Sequence, residues 1–235
     1  AIEFVKSKLD IYFKRQLIEK FFECAREVSF WQDMLNEQDT LMFIYSTLHD
    51  FTKPLDFEEI LNITRNFHKI ENPQSKLIEL SDIMCDFYEF EEKDKQTFLI
   101  ASSLCNIGKL TLSKDIVEKT AELDIYEIEK IKTYPYYTKK ILQNIIGFSD
   151  ISSWASKIQE RLDSSGYIQA LGAKDLTLKD RLLQSLYAYN AIRQNKAYRD
   201  AFSHEEAIEI LKFEASENRF DITIIEDLDR ILKES

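Results

Sequence analysis

The chain has 235 residues, 44% of them hydrophobic, and its 31 basic and 42 acidic side chains give a formal charge of −11. This acidic balance argues against general binding to nucleic acid, whose phosphates repel it, and no apolar run reaches the roughly 18 residues of a membrane-spanning helix. Only four Gly and three Pro are present, too few for the tight turns of an all-β fold.

The first segment, residues 1–29, carries an apolar residue every three or four positions, from Ile2 to Val28. This period predicts one long amphipathic helix. Two interpretations are open: the helix packs on the domain that follows, or it connects to an upstream sensory module or a second copy. We expect residues 1–55 to form an N-terminal helical extension.

Helical patterns continue after this segment, with a break at Pro54. Asp56 is a predicted N-cap. Gly108 is predicted to end a helix as a C-cap glycine. The predicted helices run over 30–70 with the break, 75–88, 93–104, 113–120, 124–132, 136–146, 149–161, 178–193, 203–216 and 221–233. Because no strand pattern is found, the predicted fold class is all-α.

The cysteines and histidines form no metal-type pattern. Cys24, Cys85 and Cys105 are scattered, which is typical of free buried thiols in a reducing cytoplasm. We expect a cytoplasmic protein, because no signal peptide is recognisable. His49-Asp50 is not followed by Gly-Lys and is rejected as a metal-binding pair, and His68 and His204 are isolated surface or packing residues.

Two segments about fifty residues apart carry the functional signal. They are Cys105-Asn106-Ile107-Gly108-Lys109 and Ile158-Gln159-Glu160-Arg161-Leu162-Asp163-Ser164-Ser165-Gly166-Tyr167. They resemble the signatures H-D-I-G-K and H-H-E-x-x-D-G-S-G-Y-P of the HD-GYP family, bacterial metal-dependent phosphodiesterases that hydrolyse cyclic di-GMP. The resemblance implies an HD-domain-like helical bundle over residues 56–235.

Shorter matches follow in the family's order. They are Trp154-Ala155, Leu171-Gly172, Arg181, Ala191, Lys196-Ala197-Tyr198-Arg199, Glu205-Glu206-Ala207 and Phe220-Asp221. The motif loop keeps Glu160, Asp163, Gly166 and Tyr167. The frame of the family is therefore present along most of the chain.

The departures from the family fall on its metal ligands. The resemblance implies seven ligand positions, held here by Gln74, Cys105, Asn106, Tyr134, Ile158, Gln159 and Tyr187. A two-metal hydrolase needs His and carboxylate ligands to hold its ions and generate hydroxide. We therefore expect no metal, no cofactor and no catalytic residue, and we expect Tyr134 and Tyr187 to fill the former metal cavity, with a hydroxyl on Asn106 or Gln159.

Cations at motif positions could still bind phosphate. Lys109, Arg181 and Arg199 are the candidates that the resemblance suggests. The structural interpretation is that arginines such as Arg161 and Arg181 pair with acids such as Asp163 and Asp180. Both interpretations remain open at this point.

Three functions follow from this pattern. The first is a catalytically inactive HD-GYP-like domain that serves bacterial second-messenger signalling through a protein partner, an upstream sensory domain or a homodimer. The second is a sensor that binds cyclic di-GMP or another nucleotide without hydrolysing it. The third is a residual metal-dependent phosphodiesterase with a reorganised site. We favour the first and expect cyclic di-GMP to bind more weakly than about 10 μM, roughly −7 kcal/mol.

Overall fold

The computed structural model describes residues 2–8, 12–35, 37–48, 54–117, 119, 122–195 and 199–233. The chain divides into two compact units, Ala1–Pro54 and Leu55–Ser235. The rejected pair His49-Asp50 lies outside the described residues. None of the described helices is both long and apolar enough to cross a bilayer.

The first unit contains four short helices: α1 (Ile2–Ser7), α2 (Arg15–Cys24), α3 (Val28–Leu35) and α4 (Glu37–Leu48). The prediction of one long helix over residues 1–29 is therefore wrong. Helix α2 ends where the Ala25 N–H bonds back to Phe21 O, and the Trp31 indole donates to Ala25 O at 2.9 Å. The Phe21 ring contacts the rings of Phe30 and Trp31 edge-on. This aromatic packing favours a turn between α2 and α3 over a continuous helix.

This unit buries little of its apolar surface. Among its described residues, the buried hydrophobic side chains are Ile18 and Ala25. Exposed apolar side chains include Phe4, Leu17, Val28, Leu35, Met42 and Phe43. Cys24 is also exposed, so the prediction of a buried thiol is wrong at this position, whereas Cys85 and Cys105 are buried as expected.

Over its described residues the second unit is built of helices joined by turns and loops, with no β-strand, which confirms the all-α prediction. Its elements are α5 (Phe57–Glu71), α6 (Leu77–Phe87), α7 (Glu92–Leu104), a 3-10 helix (Ile107–Thr111), α8 (Lys114–Val117), α9 (Ile125–Ile131), α10 (Tyr134–Leu142), α11 (Ser149–Ala155), α12 (Leu178–Ile192), α13 (His204–Ser216) and α14 (Ile222–Ile231). Helix α7 is central: it packs against α5, α6 and α11, and every residue from Thr97 to Leu104 is buried.

Four helices begin at a capping box, in which the N-cap side chain and the third helical residue satisfy each other's backbone N–H. The N-cap residues are Asp56, Asp124, Thr177 and Ser203. The prediction for Asp56 is confirmed. These polar boundaries fix where α5, α9, α12 and α13 start, and so which faces they bury.

Gly108 does not cap a helix, which corrects the prediction. Helix α7 ends earlier, at Leu104, and Gly108 lies inside the 3-10 helix. A Cβ at this position would collide with the Tyr134 carbonyl and the Thr138 backbone N–H. The glycine is needed because the 3-10 helix packs directly on the backbone of α10, which places the first motif against Tyr134.

Candidate functional site

A hydrogen-bonded chain of side chains joins the two motif segments. The Gln159 amide donates to the Tyr134 hydroxyl at 2.8 Å, that hydroxyl donates to the Tyr187 hydroxyl at 3.3 Å, and Tyr187 donates to Asn106 Oδ1 at 3.1 Å. We call these four residues the tyrosine cluster. The sequence predicts a tyrosine hydroxyl bonded to Asn106 or Gln159, and the structure contains a bond to each.

The tyrosine cluster is neutral. Burial raises the pKa of Tyr134 well above its usual value, and burial likewise raises the pKa of Tyr187. The neighbouring Cys105 thiol is fully buried, and burial raises its pKa to about 12. Ile158, also buried, presents no polar atom. At neutral pH the group therefore offers phenols, amides and a thiol, all uncharged.

Glu71 is the acid beside this cluster, and sequence analysis missed it. The Asn106 amide donates to Glu71 Oε2 at 3.1 Å, and the Lys109 ammonium lies 3.3 Å from Glu71 Oε1. Lys109 also lies 5.4 Å from the centre of the Tyr134 ring. Glu71 lies three residues after the buried His68 and seven after the buried Thr64, on the same face of α5, and this spacing was the signal that could have identified it.

Gln74, which the resemblance placed among the ligand positions, has no recorded hydrogen bond to the tyrosine cluster in the described part of the chain. It is exposed and lines a separate small cavity with Lys76, Asn190 and Arg193. Helix α5 ends at Glu71, and the turn that follows carries Gln74 away from the helix face that meets Asn106. The structure thus brings together Asn106 after α7, Tyr134 after α9 and Gln159 after α11. Tyr187 on α12 completes the group.

The motif loop is built on Glu160, whose side chain is 1% exposed. One carboxylate oxygen accepts the Gln169 N–H at 2.8 Å, and the other accepts the Leu171 N–H at 2.9 Å. Glu160 therefore holds the loop's backbone from inside, as a carboxylate that accepts two charge-assisted hydrogen bonds.

The remaining motif residues also shape the loop's backbone. Asp163 accepts the Ser165 N–H at 2.9 Å, and its hydrogen bonds from Ser165 hold the pKa of the carboxyl below its usual value. A Cβ on Gly166 would collide with the backbone of Glu160 and Arg161, so only glycine fits. The Tyr167 N–H donates to Gln159 O, and burial raises the pKa of the phenol.

The three candidate phosphate-binding cations lie apart, and each has protein partners. Lys109 pairs with Glu71. Arg181 donates to Leu176 O and Ala173 O and pairs with Asp221 at 2.9 Å. Arg199 donates to the carbonyls of Ala191 and Ile192 at the end of α12. The residues Lys196, Ala197 and Tyr198 of the short match before it lie outside the described residues.

The partners of Arg161 and Arg181 differ from the acids expected from the sequence. Arg181 pairs with Asp221 rather than Asp180, because the buried Asp180 is taken by Lys157 at 3.0 Å. The Arg161 guanidinium donates to Glu160 O and lies 4.7 Å over the Phe220 ring, and burial lowers its pKa. These side chains hold helices and loops together.

The isolated histidines are both buried. His68 Nε2 lies 2.9 Å from Ser75 Oγ, and burial lowers its pKa. His204 contacts the Tyr189 hydroxyl at 2.8 Å and Asp229 at 3.3 Å. Within the described ranges, no group of three or more His, Cys, Asp and Glu side chains converges as a metal site would require.

The sequence profile described as HD domain matches residues 57–224. A 3′3′-cGAMP-specific phosphodiesterase 1 of Vibrio cholerae is 25% identical over 184 residues, covering 75% of this chain and 43% of the relative. The cyclic di-GMP phosphodiesterase PdeB of Borreliella burgdorferi is 30% identical over 123 residues, covering 52% of this chain and 32% of the relative. The chain thus spans less than half the length of these relatives.

Proposed function

The chain belongs to the HD domain family, and from that premise we propose that it is a catalytically inactive, HD-GYP-like member that acts as a signalling or protein-interaction module in cyclic-dinucleotide regulation. The names of its relatives support the link to second-messenger signalling. The loss of hydrolysis is our own inference from the residues at the site.

The observation that carries the proposal is the tyrosine cluster. Its four side chains stand at positions where the resemblance expects metal ligands, and they bond to one another. The Tyr134 ring is almost fully buried, so it takes up space in the protein interior. Filling of this kind avoids the cost of an interior void.

The donor chemistry does not fit a pair of divalent metals. Such ions are held by neutral imidazole, carboxylate or thiolate groups. A tyrosine or cysteine must lose its proton to bind well, and burial raises the pKa of Tyr134, Tyr187 and Cys105. The neighbouring carboxylate of Glu71 already accepts from Asn106 and Lys109. We therefore derive no reaction step through a metal.

The alternative function, a sensor that binds a cyclic dinucleotide, has less support because its candidate phosphate-binding cations already have protein partners. Binding of a cyclic dinucleotide needs positive charge at its two phosphates once no metal supplies it. Lys109, Arg181 and Arg199 are held by Glu71, Asp221 and backbone carbonyls, respectively. Recruiting any of them would break a contact that stabilises the fold.

The apolar surface of the first unit supports an interaction role. Leu17 and Val28 are 64% and 74% exposed, and large exposed apolar patches mark interaction sites. If this unit mediates homodimers, Leu17→Lys with Val28→Lys should lower the mass measured by light scattering. An unchanged dimer mass would place the contact elsewhere, and a monomeric parent would favour an upstream module as partner.

Metal content and hydrolysis test the proposal directly. Purified protein should hold less than about 0.2 equivalents of Fe, Mn, Zn or Ni, because neutral amides and phenols compete poorly for these ions. With Mn²⁺ added, cyclic di-GMP and 3′3′-cGAMP should remain intact. Near-stoichiometric metal that survives dialysis, or turnover that Tyr187→Phe alters, would overturn it.

Calorimetric titration separates the module from the sensor. We expect cyclic di-GMP to bind no tighter than about 10 μM, or roughly −7 kcal/mol. Sub-micromolar binding that is lost in Lys109→Ala or Arg181→Ala would establish the sensor instead. Lys93→Ala, an exposed lysine on α7, is the matched control for general charge.

A further inference from the structure

A small cavity outside the tyrosine cluster is lined by cations and amides. It has a volume of about 90 Å³ and lies between the start of α6 and the end of α12. Its polar lining comes from Lys76, Arg193, Gln74, Asn190, Gln194 and Tyr189. Leu80 is the apolar side chain at its base, and no carboxylate is found among its described lining residues.

The wall of this cavity is fixed by buried hydrogen bonds. Asn190 Oδ1 accepts the Lys76 N–H at 2.9 Å, and the Asn190 amide donates to Ser75 Oγ at 3.1 Å. Ser75 Oγ also contacts His68 Nε2 and accepts the Leu77 N–H. Because Asn190 is 6% exposed, its hydrogen bonds to Ser75 and Lys76 hold the turn before α6, which carries Gln74 and Lys76, against α12.

Both cations are available to a ligand in this cavity. Among the described residues, the one recorded hydrogen bond of the Arg193 guanidinium is Nη1 to Phe202 O at 3.1 Å. An arginine presents five N–H donors, so most of them remain. The Lys76 side chain is exposed, and no ion pair is recorded for it within the described part of the chain.

Lys76 and Arg193 line one concave site, and no carboxylate is among its described lining residues, although the chain has a formal charge of −11. Like charges held close together repel unless an anion lies between them. Amide donors beside a guanidinium are suited to the oxygen atoms of a phosphate or carboxylate. The volume would hold a few water molecules or one such anion, but not a nucleotide base and sugar.

We propose that this cavity binds a small oxyanion of the size and charge of phosphate, either free or as the terminal phosphoryl group of a larger molecule. Arg193 and Lys76 supply the charge, and the amide of Gln74 orients the oxygens. The site goes beyond the proposed function and does not depend on it, since neither cation belongs to the tyrosine cluster or the motif loop.

Titration of the full chain with inorganic phosphate, followed by calorimetry and by amide NMR shifts at Lys76 and Arg193, tests the proposal. Binding should saturate in the millimolar range or below. Arg193→Gln should weaken it at least tenfold, Lys76→Gln several-fold, and Lys93→Gln, the matched exposed lysine, not at all. Arg193→Lys keeps the charge and should retain more affinity than Arg193→Gln.

A second ligand distinguishes the two sources. If phenyl phosphate binds as well as inorganic phosphate, the site accepts a terminal phosphoryl group, and if it does not, the site is for the free anion. No saturable phosphate binding up to about 20 mM, or equal affinity in Arg193→Gln with an unchanged melting curve, would overturn the proposal. Because Lys76 is exposed, Lys76→Gln keeps the test decisive if Arg193→Gln fails to fold.

Discussion

The motif loop and the tyrosine cluster use hydrogen bonds in opposite ways. In the loop, Glu160 and Asp163 accept backbone N–H groups, so these side chains determine the path of the chain. In the cluster, Tyr134, Tyr187 and Gln159 bond to other side chains. The comparison teaches that side chains bound to the backbone set the path of the chain, whereas side chains bound to one another can be exchanged without redirecting it.

The largest loss of stability should come from replacing Gly108, the glycine of the first motif segment. Gly108→Ala would drive a Cβ into the Tyr134 carbonyl and the Thr138 backbone. Because backbone atoms cannot move aside as a side chain can, we expect a loss of about 3 kcal/mol or failure to fold. Urea denaturation measures it.

Gly147→Ala is the control for Gly108. Its φ of +88° strains any other residue, but a Cβ there meets no atom within 4 Å. We expect a cost of about 1 kcal/mol from the backbone conformation alone. Equal losses in the two variants would show that the 3-10 helix is not pressed against α10 as described.

The next effect concerns the carboxylate inside the loop. Glu160→Gln would turn one acceptor into an NH₂ group that faces a backbone N–H. An unmet buried donor costs about 1–3 kcal/mol, so the melting temperature should fall by several degrees. Glu226→Gln, at an exposed position on α14, should leave the melting temperature unchanged. An equal fall in both variants would show that Glu160 does not stabilise the loop through these hydrogen bonds.

Substitutions in the tyrosine cluster should reduce stability less than those at Gly108 and Glu160. Tyr134→Phe and Tyr187→Phe each remove one hydroxyl, and we expect about 1 kcal/mol for each. Because the two hydroxyls bond to each other, the double variant should lose less than the sum of the two. Strict additivity in a double-mutant cycle, with the exposed Tyr136→Phe as reference, would mean that the hydroxyls do not interact.

The smallest effect is a pH dependence from the buried His68. Burial lowers its pKa, so the folded protein holds the ring neutral where the unfolded chain already binds a proton. Its contribution is present above the unfolded pKa near 6.5 and is lost as the pH falls towards the folded pKa. The difference in unfolding free energy between pH 7.5 and pH 5.5 should therefore shrink in His68→Gln. The same difference in both proteins would contradict this.

Regular periodicity and capping chemistry made the second unit predictable. Asp56 with Glu59 forms a capping box that is visible in the sequence, and α12 and α13 end within a residue of their predicted ends. The single helix over residues 1–29 failed because the apolar period continues through the turn at Ala25, where contacts of Phe21 with Phe30 and Trp31 decide the fold. Tertiary contacts of this kind do not change the local hydrophobic period, so the sequence pattern does not reveal them.

The candidate site was predicted in part for the same reason. The family resemblance placed Asn106, Tyr134, Gln159 and Tyr187 in one group, and in the structure hydrogen bonds join them. The contact of Glu71 with Asn106 and the displacement of Gln74 could not be predicted, because both depend on where α5 ends and how its last turn meets Asn106. The roles assigned to the ligand positions, and the division into an extension and a main domain, stay predictions.

The buried anchor of the motif loop has a consequence for how this surface can change. Since Glu160 fixes the path of the loop from within, by accepting the backbone N–H groups of Gln169 and Leu171, the exposed side chain of Gln169 is not needed to define that path. Mutations at this position can therefore accumulate without loss of the loop's shape. The loop is a platform on which recognition can diverge between related proteins while their architecture stays the same.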